Sequence, residues 1–203
     1  MEYVGDEKPE YVIINGDGWD MYSHSRFPRS HNVFSPREEQ STSRTLNEQF
    51  WLEVKRKHRS AKCYQLLGNH DVRPLKKILD SYPEAEDWVK EKMRELFSFN
   101  GVTTIHDPRE ELFLNKNTAV FHGYRSKLGD HRDYILMNSI NGHTHIGGVV
   151  VRQIRGVVLW ELNSGMAADP NAKGLTYTAQ KISNATSGFG GVNKYGPQFI
   201  AVS

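Results

Sequence analysis

The chain has 203 residues, enough for a domain with a substantial core, and 37% of them are hydrophobic. Twenty-six basic residues oppose twenty-four acidic ones, so the net charge of +2 neither attracts nor repels nucleic acid as a whole. The single cysteine, Cys63, excludes a disulfide framework within the chain and reads as a buried structural thiol. No basic-then-apolar leader opens the sequence, and no apolar run approaches the roughly 18 residues of a membrane span. These features predict a soluble, cytoplasmic protein with no membrane partner.

In chain order, Tyr11 to Ile14 is a β-branched run bounded by Pro9 and Gly16, and it predicts a buried strand. Gly18 to Ser41 mixes Ser, Pro, Arg, His and aromatics without period, the pattern of a long functional loop. A helix follows, from the cap-like Ser-Thr-Ser-Arg-Thr segment to about Arg59, with Leu46, Phe50, Leu52 and Val54 in it. Its basic end, Lys55-Arg56-Lys57-His58-Arg59, reads as a solvated face that offsets the helix dipole.

Lys62 to Leu67 reads as the next strand. Helices are predicted over Arg73 to Leu79 and Ala85 to Phe97, the second with Trp88, Met93, Leu96 and Phe97 as its apolar face. Beyond Gly101 the pattern turns to short strands at Val102–Ile105, Glu111–Leu114, Thr118–Phe121, Gly148–Val151 and Gly156–Leu162, with a helix over Lys127 to Met137. The Gly-, Asn- and Ser-rich tail from about residue 164 reads as irregular, with a last strand at Phe199 to Val202. The sum is one α/β domain over residues 1–203 with at least one mixed sheet. Ligands in such folds collect beyond the carboxyl ends of the strands.

Four fragments at those ends carry ligand-type side chains. Asp17 follows Gly16 and either closes an Asx-turn or offers a carboxylate that can bridge two cations. Gly68-Asn69-His70-Asp71 brings a hard amide oxygen, an imidazole able to bind metal or donate a proton, and a carboxylate able to orient that ring. His122 and Gly123 close the strand at Thr118–Phe121. His143 and His145 lie two apart, so in an extended segment both rings face one site.

This order of motifs resembles the calcineurin-like metallophosphoesterase superfamily, in its phage and prokaryotic forms, over residues 11 to about 163. The resemblance implies a two-layer β-sandwich flanked by helices, and hydrolysis of phosphomonoesters or phosphodiesters through a metal-bound hydroxide. It implies metal ligation by Asp17, Asn69, His122, His143 and His145, and protonation of the leaving alkoxide by His70. The cofactors implied are divalent ions, Mn first, with Fe, Zn, Ni or Mg as substitutes. The family also carries an Asp-x-His motif on a strand upstream of the Gly-Asp motif, and no Asp-x-His occurs in this chain.

Three readings of that departure stand. The first strand and helix lie outside the recorded chain. Alternatively, a naturally shortened protein uses one metal or recruits Asp20, His24 or the Asp130-His131-Arg132-Asp133 cluster. Otherwise the chain is an impaired relative that serves as a metal-binding interaction module. His24 and His131 read as ordinary surface histidines. Nucleic acid is one candidate substrate, on the strength of His24, Arg26, Phe27, Arg29, His31 and Phe34 in the long loop. Arg73 and Arg125 read as surface arginines, with clamping of substrate phosphate as the second option.

Overall fold

The computed structural model describes residues 8–25, 34–168 and 185–202. The chain packs as two compact units, Met1–Asp107 and Pro108–Ser203. Its elements make a mixed α/β protein with helices flanking the sheets, as the sequence predicts.

In the first unit, strands β1 (Tyr11–Asn15), β2 (Lys62–Leu66) and β3 (Val102–Ile105) form a parallel sheet with β2 in the middle. Parallel neighbours need long crossovers. Helix α1 (Pro36–Lys57) spans the first connection, and α2 (Arg73–Leu79) with α3 (Glu86–Leu96) spans the second. β1 is half-buried along its whole length, where the apolar run predicts full burial.

Helix α1 begins earlier than expected because Ser35 caps it. The Ser35 hydroxyl accepts from the Glu38 N–H at 3.3 Å, and the Glu38 carboxylate accepts from the Ser35 N–H at 2.9 Å. With Pro36 at the first helical position, this capping box satisfies donors the helix itself leaves open. Residues 36–41 of the expected loop therefore belong to the helix, and Tyr22–His24 forms a short 3-10 turn; Arg26, Phe27, Arg29 and His31 lie outside the described residues. At the far end Lys55, Arg56 and Lys57 occupy the last turn, as the dipole favours, and both Arg56 and Lys57 pair with Glu53.

The buried face of α1 is set by Asn47, Trp51 and Val54, spaced for one helical face, while Leu46 and Leu52 are exposed. Trp51 donates its indole N–H to the fully buried Gln65 side chain of β2 at 3.0 Å. In α3 the buried residues are Val89 and Met93; Trp88, expected inward, is 55% exposed. Trp19 stacks on Phe97 at 4.4 Å between centroids, in a core that also holds Met21, Leu67, Val72 and Phe99. Cys63 belongs to this core, and burial pushes its thiol pKa up, which suits an inert packing role.

In the second unit, β4 (Leu112–Asn115), β5 (Thr118–Val120), β6 (Asn138–Asn141), β8 (Val157–Asn163) and β7 (Gly148–Ile154) line up in that order. β5, β6 and β8 run parallel; β4 and β7 are antiparallel to their neighbours. Helix α4 (Asp130–Ile135) is shorter than predicted, starting at left-handed Gly129 and ending at left-handed Leu136.

The tail is not irregular where it is described. β9 (Gly188–Asn193) and β10 (Gly196–Ala201) form an antiparallel hairpin that contacts β7 and β8. Its glycines serve packing. A Cβ at Gly147 would lie 2.1 Å from the Phe199 ring and one at Gly188 2.5 Å from it, so only glycine lets the chain close around that ring. Among the described residues, no helix is long and apolar enough to cross a membrane.

Candidate functional site

In the first unit the ligand-type residues occupy two turns at the carboxyl ends of neighbouring parallel strands. After β1 the backbone turns through Gly16 (φ 82°) and Asp17 (φ 53°), successive left-handed residues that swing the carboxylate back over the strand ends. After β2 comes the turn Gly68-Asn69-His70-Asp71, leading into α2. The Asp17 carboxylate accepts the His70 backbone N–H at 2.8 Å and so links the two turns.

Asp71 completes the link. It is fully buried, and its two carboxylate oxygens accept the N–H of Trp19 at 2.8 Å and of Gly68 at 2.7 Å. The sequence reading gave Asp71 the task of orienting His70; the structure gives that task to Asp20. The Asp20 carboxylate lies 2.8 Å from His70 Nδ1, and Arg73 NH2 lies 2.7 Å from Nε2. A guanidinium only donates, so Nε2 accepts and the ring proton rests on Nδ1, donated to Asp20. Arg73 also donates to the Asp20 backbone carbonyl at 2.8 Å. Its side chain is only 15% exposed, which corrects its reading as a surface arginine.

In the second unit His122 follows β5 and is buried, while the half-buried His143 follows β6. The His122 carbonyl accepts the N–H groups of Gly142 and His143, at 3.0 and 3.1 Å, so the two strand ends are locked together. This brings His143 Nδ1 within 3.2 Å of His122 Nε2, with the rings edge to face at 80°. Two imidazole nitrogens at that spacing form a pair able to bind one cation from two sides.

His145 stands differently from expectation. Residues 142–145 are a turn, closed by the His145 N–H to the Gly142 carbonyl at 3.2 Å, and His145 is left-handed at φ 60°. The alternation of an extended strand, which would have put both rings on one face, does not operate there. The ring pair that forms is His122 with His143. His145 is instead fixed through its carbonyl, which accepts the Thr186 N–H at 2.9 Å.

A buried polar layer supports these turns. Asn163 of β8 donates to the Asn141 side chain at 2.6 Å and to the Thr144 hydroxyl at 2.7 Å, bracing the turn that carries His143. His131, read from sequence as a surface residue, is 0% exposed. Its Nε2 accepts the N–H groups of Tyr124 and Arg125, both at 3.0 Å, which places its proton on Nδ1, 3.8 Å from Glu161. His24, by contrast, is partly exposed, its Nδ1 3.0 Å from the Ser23 hydroxyl.

Glu161 is fully buried and accepts the N–H groups of Gly129 at 2.7 Å and Arg132 at 2.9 Å. Burial opposes its charge, but the nearby His131 side chain, the hydrogen-bonding N–H groups of Arg132 and Gly129, and the neighbouring Asn141 side chain together prevail and lower its pKa from 4.5 to about 2. A depressed carboxyl stabilises the fold above its ordinary pKa and loses that effect as pH falls through the folded value. Glu161→Gln is thus expected to destabilise by up to about 3 kcal/mol at neutral pH, with more than half of the deficit gone by about pH 3. Thermal unfolding at both pH values reads this, and a deficit equal at the two would contradict it.

Sequence reasoning considered Asp20 and His131 only as substitute metal ligands, not in these supporting roles, and missed Glu161 and Asn163 altogether. One signal was present: a glutamate in the middle of an apolar strand run is almost never fully buried without partners, so Glu161 announced a polar interior. No family model matches the chain, and no curated protein matches it significantly.

Proposed function

We propose that the chain is a metal-dependent phosphoesterase with the helix-flanked, two-layer sandwich that its motif order implies. Asp17, Asn69, His122, His143 and His145 are its proposed metal ligands, and His70 its proposed proton donor. The observation that carries the proposal is the 3.2 Å separation of His122 Nε2 and His143 Nδ1. Metal–nitrogen bonds of about 2.0–2.1 Å at tetrahedral or octahedral angles put two nitrogens on one ion about 2.8–3.4 Å apart. Imidazoles together with carboxylate and amide oxygens suit Mn, Fe, Zn or Ni, with Mg less favoured by the nitrogens.

A bound divalent cation supplies Lewis acidity toward phosphoryl oxygen and water. The rest of the chemistry belongs to the chain. Asp20 holds His70 in one orientation, and Arg73 occupies Nε2, the nitrogen that must carry a proton to a leaving group. A guanidinium pairs bidentately with phosphate oxygens. In this reading an arriving phosphate ester draws Arg73 away from Nε2, which then takes up a proton from solvent while Nδ1–H stays on Asp20, and passes that proton to the leaving alkoxide.

The lack of any Asp-x-His within the 203 residues favours a second reading, a module that binds one ion without turnover. Hydrolysis of bis-p-nitrophenyl phosphate and p-nitrophenyl phosphate, followed against Mn2+ concentration, separates the two. The enzyme reading expects turnover that rises with Mn2+ and disappears with EDTA. Metal uptake with no turnover on either ester leaves the binding module, and absence of both uptake and turnover removes the two together.

A further inference from the structure

An aromatic and cationic platform follows His122 directly in the second unit. The Arg125 guanidinium lies 4.3 Å from the Tyr134 ring centroid and 5.6 Å from that of Tyr124. The two tyrosines meet edge to face at 6.3 Å and 89°. Tyr124 is anchored from below: its ring packs edge-on against the buried His131 at 5.2 Å, and its N–H is held by the same imidazole. Outward, Tyr124 is 51% and Tyr134 64% exposed. Among the described residues Arg125 has no carboxylate partner, so rings hold its charge in place and leave it unneutralised.

Charge is also unevenly divided along the chain. Residues 108–203 carry ten basic and six acidic side chains, whereas residues 1–107 carry sixteen and eighteen. A cation held between exposed rings, on the more basic unit, suits a ligand that offers both a flat π-face and a phosphate. Bases of single strands stack on aromatic rings and on guanidinium planes, with adjacent phosphates drawn by the positive charge.

We propose that Tyr124, Arg125 and Tyr134 bind single-stranded nucleic acid, the rings stacking a base and Arg125 taking a neighbouring phosphate. This rests on the phosphoesterase reading and narrows its substrate to a nucleic-acid phosphodiester. The position of the platform, two residues beyond a proposed metal ligand, is what ties the two together.

The test is fluorescence anisotropy of the full chain with a labelled deoxythymidine oligonucleotide, in EDTA so that no hydrolysis intervenes. Wild type is expected to bind. Tyr134→Ala should weaken binding about tenfold or more, and Tyr134→Phe should stay within about twofold, since the ring is kept. An abasic oligonucleotide of equal length should bind wild type and Tyr134→Ala alike. Absence of binding by wild type, or equal affinity in Tyr134→Ala, overturns the platform. So does an equal loss on the abasic strand. Binding in EDTA without Mn2+-dependent hydrolysis would sink the phosphoesterase reading alone; hydrolysis without Tyr134-dependent binding would sink the platform alone.

Discussion

Replacing His143 by alanine is expected to lower Mn2+ affinity by at least about 100-fold, because even partners of metal ligands cost 10- to 100-fold when removed. Metal-dependent hydrolysis should fall with it. The fold should hold: His143 is half-buried in a turn, and the bonds that lock β5 to β6 run through its backbone, not its ring. Urea unfolding without metal should therefore change by less than about 1 kcal/mol, as for substitutions outside the core. His143 is a better choice than His122, whose burial would add a cavity cost to the loss of a ligand. Unchanged Mn2+ affinity in a folded His143→Ala protein would refute the assignment of this residue.

The largest loss of stability from one polar side chain is expected at Asp71. Its carboxylate is the acceptor for two backbone N–H groups on two different turns, Trp19 and Gly68. Alanine leaves both donors without that acceptor in a site closed to solvent. At about 1–3 kcal/mol for each unsatisfied group, Asp71→Ala should cost about 2–6 kcal/mol in urea unfolding. Asparagine presents one oxygen and one N–H to the same two donors, so it should recover only part of the loss. A cost under about 1 kcal/mol would show that the two turns stand without this tie. The ligand residues of this unit ride on those turns, so the same substitution should also weaken Mn2+ binding.

The strand ends that present the ligand-type residues were legible because short strand-like runs there stop at glycine: β1 before Gly16, β2 before Gly68 and β6 before Gly142. The start of α1 was equally readable in Ser35-Pro36-Arg37-Glu38, but the Ser/Thr tract at 41–45 looked more like a cap. Within the helix those hydroxyls bond back to the preceding turn, Ser41 to the Glu38 carbonyl at 3.1 Å and Thr45 to the Ser41 carbonyl at 2.9 Å. Composition alone cannot separate a glycine that frees a loop from one that admits a ring, which is why the hairpin around Phe199 was hidden. The role of Asp71 was misread for a related reason. Adjacency in sequence suggested that it served His70, whereas the three-dimensional turn points its carboxylate at backbone amides and leaves the ring to Asp20. His131 looked like a surface residue because its partners, two amides and Glu161, reach it only through the fold.

The deciding property is whether this protein takes up a divalent ion through its paired histidines. Calorimetric titration of the whole, metal-stripped chain with Mn2+ asks that directly. The prediction is saturable binding at one or two ions per chain, with affinity at the paired-histidine site at least about 100-fold weaker in His143→Ala. A flat titration of a folded protein, or binding that His143→Ala leaves untouched, would contradict it.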